Sequence, residues 1–388
     1  MYYYISPSQE VTWNLALEEE LFRNIQDLAP EGLLLFYVNA PSLVVGRSQN
    51  LYQEVRWVQA DLAGLSMCRR ISGGGTVYHD LGNLNFSYIL PGQRMERLGH
   101  FTFCLEGVEE YLLQLGLKVE MRPPSDLYVT SMQASGPEYV KSLREDGLES
   151  EKGPEVLSEG KFSGNAQASG QRAFLQHGTL LYDSDLAVLD RYLHHVGPDL
   201  QTKGIASRRA SVQNLKPFVE EAAQILPTTK SRLPLCFNDF RTGVEEALIQ
   251  KSQARPWPGP SQETQEAIAS LVQSRYQSFA WNRGRQGTFS LTRTVPGQVS
   301  GVTELTARPA PGPGAGVVAE STLGSAPVDE VHVEVVKGLI ACWTSKAHPA
   351  LNELLTGAPL QGQELIRRMG QGTGGPKDPT AYLTSIFG

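Results

Sequence analysis

Three consecutive glycines, Gly73-Gly74-Gly75, lie between Arg69-Arg70-Ile71-Ser72 and Thr76-Val77-Tyr78-His79-Asp80, and they constrain this chain more than any other segment. Glycine has no side chain to pack and loses the most backbone entropy on folding, so such a run makes a poor strand. It lets a backbone approach a ligand closely and present N–H groups to an anion. Two arginines just upstream supply guanidinium forks suited to phosphate. The segment has neither the GK[ST] ending of a P-loop nor a GxGxxG that opens a helix. Alone, it reads as a hairpin with surface arginines; its flanking residues favour a ligand cradle.

A second polar cluster, Lys161-Phe162-Ser163-Gly164-Asn165-Ala166, alternates like a strand, with Lys161 and Ser163 on one face and Phe162 on the other. Most lysines are solvated surface charges. This one precedes a Gly-Asn turn and a second strand carrying Gln176-His177-Gly178-Thr179. His177 reads either as a hydrogen-bonded structural histidine or as a general base.

At 388 residues the chain is long enough for two or three domains. With 40% hydrophobic and 19% charged residues, it can bury a core, which argues against global disorder. A net charge of -7 argues against a mainly electrostatic nucleic-acid binder. No run of about 18 apolar residues offers a membrane span. Cys68, Cys104, Cys236 and Cys342 form no CxxC pair and read as reduced thiols. The N-terminus MYYYISPSQE lacks signal- and transit-peptide features, so a cytoplasmic location is expected.

Periodicity predicts a helix capped by Thr12, with Glu18 to Glu20 mostly solvated. Strands are expected at 33–38 and 42–45, joined by a tight turn at Asn39-Ala40-Pro41, and again at 68–70, 76–79 and 85–90. A helix over 101–117 would close at Gly116. Residues 133–160, rich in Gly, Ser and Glu, read as an inserted mobile loop. Strands return at 161–163 and 174–182, around Ser169-Gly170-Gln171. Residues 250–264 read as irregular, 265–276 as a helix, and the last hundred as short strands and then helices, with an exposed loop at 307–316.

The blocks RRISGGGTVYHDLGNLNFS, KFSGNA and QHGTLL resemble, in order and spacing, the signature segments of the lipoate–protein ligase A family. Similarity continues through Gly46-Arg47-Ser48-Gln49-Asn50 with Glu54-Val55, through Lys203-Gly204-Ile205 to Asn214-Leu215, and through Tyr276 to Gly284. The resemblance implies an α+β architecture. A mixed-sheet catalytic domain of the biotin/lipoate ligase, class II synthetase-like type would span residues 1–280, and a smaller α+β C-terminal accessory domain 281–388. It also implies two half-reactions. A lipoate carboxylate attacks the α-phosphate of ATP to give lipoyl-AMP and pyrophosphate, and an acceptor lysine then takes the acyl group and releases AMP.

Carried onto this chain, the resemblance assigns Arg70, Gly75, Thr76, Val77 and Tyr78 to ATP, with Mg²⁺ accompanying the nucleotide. Lys161 would touch both the acyl carboxyl and the α-phosphate. Ser72, Gly73, Gly74 and Arg47 would line the lipoate slot with Lys161, though Arg47 reads equally as a surface residue. Asn83, Asp126 and His177 are further candidates, and Asp126 reads either as a turn residue or as a Mg²⁺ ligand. His79 and Asp80 read as structural hydrogen-bonding residues, because a carboxylate nucleophile is already ionised at neutral pH and needs no base. Implied partners are lipoic or octanoic acid and the apo lipoyl domains of oxoacid dehydrogenase complexes and the glycine-cleavage carrier protein. Nucleic acid and membrane are not among them.

The chain departs from the family pattern at Thr76 (usually alanine), at Ser125 (usually asparagine) and over 132–160, which is longer than typical and reads as a lid or a tolerated insertion. An octanoyltransferase of the same fold would need an activated cysteine near Lys161. None lies between Cys104 and Cys236, and Cys68 and Cys104 read as core. A non-catalytic lipoyl-domain or nucleotide-binding module would not need Arg70, the glycine run and Lys161 intact. A biotin ligase would carry a GRGRxGR-like segment, which is missing. The accessory domain is expected to swing or close between half-reactions, with Gly284, Gly287 and Pro296 compatible with a hinge.

Overall fold

The computed structural model describes residues 1–92, 101–123, 125–130, 159–193, 200–207, 210–225, 233–285, 288–296, 328–336, 339–345, 348, 350–371 and 375–387. The chain divides into two units. The first comprises Met1–Glu54, Leu65–His195 and Gly204–Asn282; the second comprises Val55–Gly64, Val196–Lys203 and Arg283–Gly388.

In the first unit the apolar runs become strands: β1 (Tyr2–Ile5), β2 (Leu33–Tyr37), β3 (Ser42–Val45), β4 (Ser66–Arg69), β5 (Val77–His79), β6 (Asn83–Pro91), β7 (Lys118–Arg122), β8 (Asp126–Thr130), β9 (Gly160–Ser163), β10 (Asn165–Ser169) and β11 (Ala173–Leu181). β12 (Leu200–Gln201) belongs to the second unit, and β13 (Arg255–Pro256) to the first. The main sheet runs β10-β11-β6-β2-β1-β13. It is mixed, since β1 pairs parallel with β2 and β13 while β2, β6, β11 and β10 pair antiparallel. Two three-stranded sheets, β4-β3-β5 and β7-β8-β9, complete the unit. Every residue of β2 and β11 is buried: β2 is a continuous apolar run, as expected of a strand covered on both faces, whereas β11 also buries Gln176, His177 and Thr179.

The two faces of the main sheet bury separate cores. Leu34, Phe36, Leu84, Phe86 and Leu180 pack with helix Phe101–Gln114, helix Phe237–Ser252 and Phe162. Leu33, Leu35, Ile89 and Leu175 pack with helix α1 (Val11–Leu28) through Leu15, Leu17 and Leu21. In the second unit β12, β14 (Thr288–Pro296), β15 (Val328–Val336) and β16 (Leu339–Ser345) form an antiparallel sheet. Helix Trp57–Leu62 belongs there too. Its Trp57 ring packs edge-on against Phe387 at 5.0 Å, and Asp61 accepts from Arg283 and from the Gly362 N–H. Among the described residues no helix is long and apolar enough to cross a membrane.

Several expectations need correction. Helix α1 begins at Val11 with Glu10 in the capping position, so Thr12 lies inside it. Glu18 and Glu19 are buried at 1% and 2% exposure instead of solvated, because each has buried hydrogen-bonding partners. The strands at 33–37 and 42–45 form no hairpin and belong to different sheets. The residue between them that the tight turn would expose, Asn39, is fully buried in hydrogen bonds to Asn14 and His79. The helix expected over 265–276 starts earlier, at Gln262, where Ser261 caps the Thr264 N–H at 3.2 Å, and it ends in a π-helical turn, Val272–Tyr276. The proposed insertion lies almost entirely outside the described residues, as do residues 307–316 and Gly287.

Candidate active site

Register across three adjacent strands builds the floor of the site. Leu35, Ser87 and His177 are paired across β2, β6 and β11, and so are Tyr37, Asn85 and Thr179 two residues along. Strand alternation puts both rows on one face. Four of these six, Tyr37, Asn85, His177 and Thr179, line a cavity of about 350 Å³ together with Leu15, Val44, Ser48, Gln49, Arg70, Gly73 to Val77, His79, Asp126, Lys161, Gly164 to Ala166, Gly178 and Ile205 to Ser207.

The glycine run bends over the Arg70 side chain. Arg70 Nη2 donates to the carbonyls of Gly73 (2.6 Å) and Gly75 (2.7 Å), Nη1 to that of Val44 (3.0 Å), and Nε to Ser72 Oγ (3.0 Å). Burial lowers the Arg70 pKa to about 10, against the opposing charges of Glu18 and Tyr37. Because a trans peptide points its N–H opposite its C=O, carbonyls turned onto Arg70 send the Gly74 and Thr76 N–H groups away from it. Gly74 sits at φ +84°, a conformation natural to glycine. Its carbonyl oxygen crowds Gly46 so closely that a Cβ there would lie 2.1 Å away.

Two small polar side chains tie this loop to its neighbours. Gln49 accepts from the Gly46 N–H (3.0 Å) and the Thr76 hydroxyl (2.9 Å), and donates to Ser207 Oγ (2.8 Å). Ser207 Oγ also accepts the Thr76 N–H at 3.2 Å, while the Ser207 N–H binds Glu54 at 3.0 Å. Thr76, the residue that departs from the usual alanine, therefore supplies a hydrogen bond that alanine would lack.

Lys161 lies on β9 beside Tyr128 of β8, and its Nζ is 2.8 Å from Asp126 Oδ1. Its backbone is held on the other side by Ser211 and Gln213, and Phe162 anchors the strand in the core. Asn165 fixes the start of β8, its side-chain amide donating to the Ser125 carbonyl at 2.7 Å and its backbone carbonyl accepting from Ser125 Oγ at 3.2 Å.

Beside this cation lies a buried polar network. His177 Nδ1 is 2.9 Å from Glu18 Oε1, which also accepts from Ser87 Oγ at 2.6 Å, and His177 Nε2 is 2.6 Å from Ser72 Oγ. Burial would raise the Glu18 pKa, but the His177 charge and the hydrogen bonds from His177, Ser87 and Tyr37 hold it below the ordinary value. Asn39 accepts from Asn14 and turns its amide N–H toward His79 Nδ1 at 2.9 Å. Burial, with the charges of Arg70 and His177, pushes the His79 imidazole down to about 3. Asp80 accepts from the backbone N–H groups of Gly82 and Asp185.

Of the residues expected from sequence, Arg70, Gly73, Gly74, Gly75, Thr76, Val77, Asp126, Lys161 and His177 share the cavity. Ser72 lies behind its wall, fully buried, and Asn83 and Tyr78 are buried away from the lining; Arg47 is exposed and also outside it. Sequence reasoning missed Glu18, Asn85, Thr179 and Ser207. Only the register of β6 and β11 brings Asn85 and Thr179 together, only the packing of α1 on that face gives Glu18 its partners Ser87 and His177, and Ser207 could have been sought beside the Lys203-Gly204-Ile205 segment. Cys68 and Cys104 are buried, each thiol raised to about 12 by burial.

Comparison with known proteins bears on the family and the fold. Residues 10–230 match the family model of the lipoyl protein ligase A/B catalytic domain. A lipoate–protein ligase 1 of Staphylococcus aureus is 32% identical over 284 residues, 73% of each chain. A lipoate-protein ligase of Bacillus subtilis is 33% identical over 285 residues, 72% of each chain. Among solved structures, a bi-partite lipoate protein ligase from Thermoplasma acidophilum matches with a TM-score of 0.52 at 21% identity, covering 73% of this chain and 96% of that one. A lipoate-protein ligase A bound with ATP matches with a TM-score of 0.53 at 21% identity, over 73% and 98%. These two likenesses speak to the mixed α+β fold, and the family match and sequence relatives to descent: the chain belongs to the lipoyl protein ligase A/B catalytic-domain family.

Proposed function

We propose that this chain is an ATP-dependent lipoate–protein ligase, which converts lipoate to lipoyl-AMP and pyrophosphate and passes the lipoyl group to a lysine of an acceptor lipoyl domain, releasing AMP. The observation that carries this reading is that the Lys161 side chain and the Gly73–Gly75 backbone line one cavity together with apolar groups from Leu15, Val44 and Val77. An acyl chain seats on the apolar groups with its carboxylate at Lys161. That carboxylate takes the place of Asp126 as the partner of Lys161 Nζ. A single mobile cation can follow the oxygen as it becomes a mixed anhydride. Charge developing on the α-phosphate meets Lys161 and the outward Gly74 N–H, with the Arg70 charge beneath them.

Asp126 is the one carboxylate on the cavity lining among the described residues. It fits a Mg²⁺ ion, which takes one or two protein carboxylates and completes its shell with phosphate oxygens and water. When bound, the ion neutralises phosphate charge. No cysteine lines the cavity among the described residues, which weighs against transfer through a thioester. Lipoic and octanoic acid both suit the slot. The acceptors proposed are lipoyl domains of oxoacid dehydrogenases and the glycine-cleavage carrier. We assign residues 1–280 to catalysis and 281–388 to an accessory role, in a cytoplasmic protein.

The test mixes the purified chain with ATP, Mg²⁺, lipoate and an apo lipoyl domain, and follows acylation by mass spectrometry and pyrophosphate release. Lys161→Ala should lose pyrophosphate release while its circular dichroism spectrum stays that of the parent. An undiminished rate in that variant refutes the role given to Lys161, and an unmodified acceptor with the parent chain refutes the function.

A further inference from the structure

His177 reaches the cavity wall with both ring nitrogens engaged. Nδ1 lies 2.9 and 3.0 Å from the two carboxylate oxygens of Glu18, and Nε2 lies 2.6 Å from Ser72 Oγ. Ser72 Oγ accepts the Arg70 Nε–H at 3.0 Å, and Arg70 Nη2 holds the carbonyls of Gly73 and Gly75. An unbroken chain of hydrogen bonds thus runs from helix α1 through β11 into the glycine loop.

The geometry fixes one proton of the His177 ring. A carboxylate only accepts, so Glu18 requires the N–H at Nδ1. In the singly protonated ring Nε2 is then left as an acceptor, and the single proton of Ser72 goes to it. In the other tautomer that proton would have to turn to the Gly73 carbonyl, 3.5 Å from Ser72 Oγ, where Arg70 Nη2 already donates at 2.6 Å.

We propose that Glu18 is a positioning residue for acid activation: acting through His177 and Ser72, it fixes the Arg70 side chain and thereby the shape of the Gly73–Gly75 loop. This rests on the reading of the cavity as the acyl-adenylate site. Glu18 touches no reacting atom. It is not a cavity-lining residue, and it is 1% exposed.

The experiment compares the full chain with Glu18→Gln, Glu18→Asp and Ser72→Ala, measuring kcat and KM for pyrophosphate formation and the ¹⁵N-imidazole spectrum of His177. Glutamine presents either an acceptor or a donor to Nδ1, so it no longer fixes the tautomer. The parent should show His177 protonated at Nδ1, and Glu18→Gln should lose that signature. Its kcat should fall about 100-fold, the scale of a misplacement of about 1 Å, with KM for ATP within a few-fold. Glu18→Asp should recover part of the loss. If Glu18→Gln does not fold, Ser72→Ala, which removes no charge, should show the same fall in kcat. A folded Glu18→Gln or Ser72→Ala with parental kcat overturns the proposal, as does a parent spectrum with His177 protonated at Nε2 alone. A parent chain inactive with lipoate and ATP would instead overturn the functional reading, and the imidazole spectrum still tests the relay.

Discussion

Substituting Gly46 by alanine tests how the glycine loop is held. The new Cβ would stand 2.1 Å from the Gly74 carbonyl oxygen and 3.1 Å from its carbon, and also 3.1 Å from Gln49 Oε1. Real Cβ atoms do not come within 3.0 Å of such a neighbour, so the oxygen must retreat by about 0.9 Å. Neither side yields easily. Gly46 is held by its N–H bond to Gln49, and its carbonyl accepts from Arg69 Nη1 at 2.8 Å. The Gly74 peptide is flanked by the two carbonyls clamped on Arg70. Overpacking of this kind costs about 1–3 kcal/mol of stability. A misplacement near 1 Å in a catalytic cradle costs about 100-fold in rate. Steady-state pyrophosphate release should therefore fall by about two orders of magnitude in Gly46→Ala, while urea denaturation shows a loss of no more than about 3 kcal/mol. A variant that keeps the parental rate within twofold would refute the claim that contact between Gly46 and Gly74 sets the loop.

Two further predictions concern stability. His79 has a folded pKa of about 3, below the ordinary value of 6.5, so the folded state keeps it neutral while the unfolded chain protonates. The sign follows: its contribution is fully present above about pH 6.5 and is lost as pH falls toward 3. Between about pH 4 and 6 the parent's unfolding free energy should rise with pH about 1.4 kcal/mol per unit more steeply than that of His79→Gln; equal slopes in urea titrations would contradict this. Gly370, exposed in helix Gly362–Gln371, has nothing within 4 Å of an added Cβ, so Gly370→Ala should stabilise the chain by about 0.5–1 kcal/mol, and a lowered melting temperature would count against it.

The chemistry of the site was legible where residue type alone restricts the backbone. Gly73 to Gly75 and the alternation around Lys161 announce a cradle and a cation, and both line the cavity. What sequence could not show is pairing. Glu18 lies in an acidic helical run that looks solvated, and only the juxtaposition of α1 with β6 and β11 gives it His177 and Ser87 as partners. Asn39 sits in a segment with turn composition, yet its amide bridges Asn14 and His79 in the interior. Local signals likewise could not separate β2 from β3, because two apolar runs joined by Asn-Ala-Pro look the same whether they pair or part into different sheets.

The adjacent arginines have divergent uses. Arg69 donates to the carbonyls of Gly46, Gln49, Trp281 and Asn282, while its own backbone binds the side chains of Asn282 and Trp281. Arg70 serves the loop. Successive residues of an extended chain face opposite ways, so a shift of one position would exchange these tasks. The pair that looks like a doubled anion clamp is thus two internal braces sharing a single peptide link, and β4 must keep its length to the residue for each brace to find its own lock.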